Sequence, residues 1–324
     1  MRGFAFIAAF GVALLSLSGA IAQVYPSRPI TLVVPAPPGG PGDILGRIII
    51  DPMRVSLGQS LVIENVAGAG GTLGVGRVVR AAPDGYTAIL GQWNSNVAGG
   101  AVYALHYDLL KDLEPVALLT SAPLWIVARN GLPAKDLAEL IAWLKANPDK
   151  ASAAIVGAGT ASHVGALHFQ NKTATSFRFV PYRGGGPAYQ DLIAGHIDLM
   201  FAEASATRAY VHGGSIRAYA VLARTRWRGA PDTPTTEELG VEGVHIAFWQ
   251  GIWVPKGTPR GAIAALNQAV VSALADPAVS HRLVELGLEI PSREQQTPAA
   301  LAAYQRSEIE RWWPIIKAAN IKAE

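Results

Sequence analysis

The sequence predicts an α/β protein of two successive halves, each a mixed sheet flanked by helices, and three observations predict it. Short apolar runs of strand length alternate with stripes of helical period between Leu32 and Val254. Two strand-to-helix junctions, at residues 35–43 and 157–163, are both rich in small residues and glycine, and one falls in each half. Beyond Val254 the chain turns almost wholly helical, which supplies cladding for one of the two sheets. With 324 residues, 50% of them apolar, the chain can fill more than one core.

In the first half, Leu32-Val33-Val34 is a strand that stops at Pro35, and a helix restarts at Asp43 with Ile44, Ile48 and Ile49 along it. Pro52 is expected to kink or end that helix. Such a junction aims free backbone N–H groups and the positive end of a helix dipole at whatever lies in front of it, the makings of an anion site; the same residues also suit an ordinary turn. Leu61-Val62-Ile63 is a second strand, and Gly68-Ala69-Gly70-Gly71 leads into a helix over residues 72–82. Those glycines do not satisfy the dinucleotide fingerprint, because the sixth position from Gly68 is Leu73. Thr87 to Leu90 is a third strand, and its polar exit, residues 92–96, is expected as a loop lining a ligand crevice. Within it, Trp93 is either lining or an ordinary packing residue.

The pattern then changes partners. Strands are expected at Val116–Leu119 and Trp125–Ala128, a helix at Asp136–Ala146, and a strand at Ala153–Val156 that runs through Gly157 to His163 into a helix from Ala161 to Gln170. Thr160 or Ser162 can cap that helix or donate a hydroxyl to an oxyanion, and His163 either donates to a ligand or braces its loop. His163 and His168, five apart, do not share a face on which to hold a metal. A strand at Arg178–Pro181, a glycine-rich turn at residues 182–187 and a helix to Ala194 follow, then buried strands at Ile197–Ala202, Ile216–Ala223 and Ala247–Val254. Asp198, alone on its strand, is the kind of acid that pairs with a backbone N–H. Helices starting at Pro259, Pro277 and Pro298 complete the chain.

Composition narrows the function. Only 16% of residues are charged, and the net charge of +3 comes from 27 basic and 24 acidic residues scattered along the chain, which gives no basis for a nucleic-acid or membrane-surface partner. Arg2, the apolar stretch Phe4 to Leu17 and Ala20-Ile21-Ala22 have the order of a secretory signal, placing the mature start near Gln23; the apolar run is shorter than the roughly 20 residues that span a bilayer. The absence of cysteine excludes a lipid-anchored lipoprotein and any disulfide framework. No Cys nucleophile, G-x-S-x-G elbow, Walker A sequence or H-E-x-x-H motif is present, so no catalytic residues and no metal ligands are assigned.

Several motifs in order, Tyr25-Pro26-Ser27-Arg28-Pro29-Ile30, Pro38-Gly39-Gly40 with Asp43 and Arg47, Glu64-Asn65 before residues 68–71, and Pro83-Asp84-Gly85-Tyr86-Thr87, resemble the Bug family of TctC-like substrate-binding proteins of tripartite tricarboxylate transporters. So do Tyr107-Asp108 with Lys111-Asp112, Val180-Pro181-Tyr182-Arg183-Gly184 and Pro231-Asp232-Thr233-Pro234-Thr235. The resemblance covers essentially all of the chain after the leader.

It implies a two-domain clamp of the type II periplasmic-binding-protein kind, with residues 23–125 and 248–324 in one domain and 126–247 in the other, joined by crossing strands. It implies a monomer that captures a small carboxylate, with membrane permease subunits as partners and no cofactor. One carboxylate of the ligand is expected at the loops holding Ala36, Pro38, Gly39, Gly40 and Asp43, and Gly159, Thr160 and His163, partly through water. Gln92, Trp93, Asn94, Gly184 and the neighbourhood of Asp198 are the remaining candidates. Ala67 stands where the family usually has proline, and Trp93 is bulkier than that loop usually carries. If the indole faces the cleft, it favours a flat or aromatic acid over citrate. Two other roles fit the same sequence: a ligand sensor docking on a sensor kinase, and a secreted hydrolase.

Overall fold

The computed structural model describes residues 25–322, so the expected leader lies outside the described residues. Strand β1 (Ile30–Val34) pairs in parallel with β2 (Leu61–Asn65) and β3 (Thr87–Gln92). Helices α1 (Pro41–Leu57) and α2 (Thr72–Val79) make the crossovers between them. α1 runs through Pro52 instead of stopping there. Ile49 and Met53, one on each side of the proline, are both buried in the core of this half, and that packing outweighs one lost backbone bond. After β3 the chain does not open into a loop. Residues 94–98 form one wide helical turn that continues into the short α3 (Gly99–Val102).

The two expected strands at 116–119 and 125–128 are one strand, β4 (Leu113–Arg129), 17 residues long. Its first part pairs antiparallel with β9 (Ala247–Pro255), with register shifts at Pro115/Ala117 and Leu118/Thr120, and its last part, from Leu124, pairs with β7 (Leu199–Glu203) and β8 (Ile216–Val221). The shifts let a proline-bearing segment stay in the sheet. β4 thus belongs to both halves, and β9 joins β3 to it.

The second half repeats the plan of the first. β5 (Ser152–Ile155) pairs in parallel with β6 (Arg178–Pro181) and β7. Helices α4 (Leu137–Ala146), α5 (Ala161–Thr173), α6 (Gly185–Ala194) and α7 (Ala204–His212) surround it; α7 is not among the expected elements. Asp136 caps α4 by accepting from the Glu139 N–H at 2.9 Å.

The helical tail is α8 (Arg260–Ala275), α9 (Pro277–Glu285) and α10 (Pro298–Ala318). Leu266, Val270 and Leu274 of α8 share a core with Ile49 and Met53 of α1, as cladding of the first sheet requires. α10 reaches further. Its Trp312 meets His168 of α5 edge-on, and Arg311 donates to the Gly243 carbonyl, so this helix touches both halves.

Candidate functional site

The site is built where the two halves meet, at the carboxyl ends of their parallel strands. A cavity of about 30 Å³ lies there, between Asn94 and Phe248 on one side and Thr160, Ser162, Tyr189 and Glu203 on the other. That is room for about two waters. The halves are in direct contact around it: the Ala161 N–H donates to Asn94 Oδ1 at 3.1 Å, and Gly159 lies so close to Val102 of α3 that a Cβ there would clash.

The N-terminus of α5 opens on this cavity. No side chain caps it, and no acidic residue occupies its first turn. Thr160 Oγ1 is turned back to the Gly157 carbonyl, at 2.9 Å. Of the early N–H groups, that of Ala161 is taken by Asn94, while those of Ser162 and His163 find no partner among the described residues. Ser162 is 6% exposed, lines the cavity, and its buried hydroxyl is also without a partner. Two N–H groups, a hydroxyl and the positive end of a 13-residue helix form an acceptor-seeking surface suited to an anion.

His163 braces the loop. Its Nδ1 accepts from the Gly159 N–H at 3.2 Å, its ring lies edge-on to Phe179, and burial lowers its pKa to about 4, so it is neutral at ordinary pH.

The matching junction of the first half is arranged differently. Asp43, in the first turn of α1, accepts from the Gly39 N–H at 2.9 Å, from Arg47 Nε at 2.9 Å and Nη2 at 3.1 Å, and from Asn65 Nδ2 at 3.1 Å. These bonds, with Arg47's first, hold its pKa down at about 2. Its side chain is covered, and Asn65 also donates to the Ala36 carbonyl. Gly40 donates to the Pro37 carbonyl, Gly39 holds φ +79°, and Pro38 is exposed. Contrary to expectation, residues 36–43 do not line the cavity. Gln92, a further candidate, does not line it either; its amide nitrogen packs against Gly42.

Two further expectations are corrected. Trp93 turns away from the cleft: it is fully buried, edge-on to Trp312, and donates from Nε1 to Glu308 at 2.8 Å. Trp249 and Trp312 donate to the same carboxylate at 3.3 Å, so the indole holds α10 in place and gives no reason to favour an aromatic ligand. Asp198 accepts from Arg129 Nε at 2.8 Å and from the N–H and hydroxyl of Ser152 at 2.8 and 2.9 Å; it ties β7 to β4 and β5 and does not line the cavity. Gly184 heads α6 at φ +143° and does not line the cavity; from that helix it is Tyr189 that does.

The acid that does line the cavity is Glu203, at the carboxyl end of β7. Solvent still reaches part of the residue, but the protein around it removes enough water that desolvation alone raises its pKa to about 7.

A two-lobed α/β clamp with an uncapped helix N-terminus at the cavity between its lobes has the architecture of a solute-binding protein. Residues 45–321 match the model of the tripartite tricarboxylate transporter family receptor, TctC, and the chain belongs to that family. MatC from Rhodopseudomonas palustris, solved with bound malate, is 38% identical with a TM-score of 0.80, over 90% of this chain and 100% of its own. Rpa4515 of R. palustris, solved with adipate, is 30% identical with a TM-score of 0.82, over 92% and 99%. Protein BugT of Bordetella pertussis is 33% identical over 319 residues, 98% of this chain and 96% of its own. The family and these neighbours are binding proteins and not enzymes, and the chain shares their periplasmic-binding-protein fold.

Proposed function

We propose that the protein captures a small carboxylate between its lobes in the periplasm and presents it to the permease subunits of a tripartite transporter. The observation that carries this reading is the N-terminus of α5, where Ser162 lines a cavity walled by both lobes and its hydroxyl, its N–H and the next N–H, that of His163, have no partner among the described residues. Hydrogen bonds to a charged group contribute about 1.5–3 kcal/mol each, so three of them with the helix dipole are commensurate with the roughly 8 kcal/mol of micromolar affinity. No buried cation is needed. Malate and adipate, held by relatives, are ligands of this size and charge.

The division of the chain supports a clamp. On this reading the chain divides at 125/126 and 247/248, the middle stretch forming one lobe and the flanking stretches the other, hinged on β4 and β9. Since the cavity admits about two waters, the lobes must part to take up even a small acid. The order of charged, apolar and small residues over 1–22 supports export through a cleaved leader.

A thermal-shift screen of organic acids tests the reading. A ligand at about 100 times its dissociation constant adds about 2.7 kcal/mol, which for a fold of this size raises Tm by about 4 °C. No shift from any mono-, di- or tricarboxylate would sink it.

A further inference from the structure

The part of the cavity away from α5 carries its own chemistry. Glu203 ends β7, opens α7, and lines the same cavity as Ser162. Among the described residues its carboxyl receives no hydrogen bond: it does not cap α7, and no side chain donates to it. No Lys, Arg or His is among the residues lining the cavity. Apart from the α5 junction, the wall around it is the apolar Phe248, Met200, Leu124, Val156, Phe201 and Ala202, with Tyr189 and Asn94; the Tyr189 hydroxyl lies against Gly185, and the Asn94 Oδ1 accepts from Ala161. A partly desolvated carboxyl with no donor from its own chain is better satisfied when a partner brings one.

We infer that Glu203 selects the ligand's far end, and that the preferred ligand is a monocarboxylate whose opposite end is a hydrogen-bond donor, an ammonium foremost and a hydroxyl next, not a second carboxylate. This rests on the reading of the protein as a carboxylate receptor and departs from the dicarboxylates of the two solved relatives. One end of such a ligand meets N–H groups and the Ser162 hydroxyl. The other meets an acceptor. A dicarboxylate would set its second anion against Glu203 with no cation to separate them, and it could be held only by adding a proton to the pair.

The test is calorimetry at pH 8 with ligands matched in length: succinate, 3-hydroxypropionate and β-alanine; then glutarate, 4-hydroxybutyrate and 4-aminobutyrate; then adipate and 5-aminopentanoate. In at least one set the amino acid is expected to bind the parent protein tenfold or more tighter than the diacid, with the hydroxy acid between them. Glu203→Gln, an isosteric neutral side chain that can donate, is expected to weaken the amino acid at least tenfold and to leave the diacid equal or tighter, narrowing or inverting the ratio. Diacids binding the parent at least as tightly as their amino analogues in every set would overturn the inference and leave the receptor reading standing. So would a ratio unchanged in Glu203→Gln. If no member of any set binds, the receptor reading itself fails and this inference with it. The parent ranking decides the matter even if the variant does not fold.

Discussion

The two junctions that look alike in composition differ in what already occupies them. At α1 the chain supplies its own anion: Asp43 sits in the first turn and is met by Gly39, Arg47 and Asn65. At α5 the first turn has no acid and no cap, and a buried hydroxyl stands unpaired. A strand-loop-helix junction is therefore an anion seat only if nothing in the chain has already taken it. The first junction is a brace, which shapes its lobe; the second, on the reading proposed above, is where a charge from outside is received.

Giving α5 the anion that α1 already has should produce the largest effect. Ser162→Asp places a carboxylate in the first turn, where it is compatible with the helix dipole and able to reach the free N–H groups. Binding of the best-responding acid in calorimetry is expected to weaken 100-fold or more, about 2.7 kcal/mol, while the thermal melt shows a folded protein. Undiminished affinity would mean that the ligand sits elsewhere and that the contrast between the two helix ends is without consequence.

Removing only the hydroxyl sharpens the same contrast. Ser162→Ala deletes one charge-assisted hydrogen bond to the ligand, worth about 1.5 kcal/mol or somewhat more, so affinity should fall about tenfold. Stability should hold or rise slightly, because the deleted oxygen has no partner in the fold. A parallel loss of melting temperature and affinity would instead mark Ser162 as a structural residue.

Much of the fold was visible in the residues because it is periodic. The strand cores, the amphipathic tail and the cap at Asp136 follow from local pattern. What was hidden depends on partners distant in sequence. Trp93 reads as possible lining until Glu308, 215 positions away, is brought to its Nε1. β4 reads as two strands because Ser121-Ala122-Pro123 looks like a break, and only pairing with β9 carries the chain through. Asp198 and Glu203 flank the same strand, and the sequence pointed to the wrong one. A usable signal was present: in open α/β sheets the crevice lies beyond the carboxyl ends of the strands, Asp198 stands at the amino end of β7, and Glu203 closes its carboxyl end. The brace at Asp43 was equally hidden. Its spacing of four to Arg47 is legible, but Asn65 comes from the next strand.

The smallest effect on binding should come from dismantling that brace. Asp43→Asn keeps the shape and loses the charge that Arg47 and the helix dipole favour, so stability is expected to fall by on the order of 1 kcal/mol while affinity changes less than threefold. The pH dependence identifies the cause. Asp43 in the folded protein is held at about 2, below its ordinary 3.8, so its contribution is fully present above about pH 5 and drains away as pH falls from near 4 toward 2. The stability difference between parent and variant, followed by denaturant melts, should therefore be flat from pH 8 to 5 and shrink below 4. A difference that persists undiminished at pH 2 would show that the Asn fails for reasons of packing. A large loss of affinity at neutral pH would show that the α1 end does touch the ligand, and the division of labour between the two junctions would have to be redrawn.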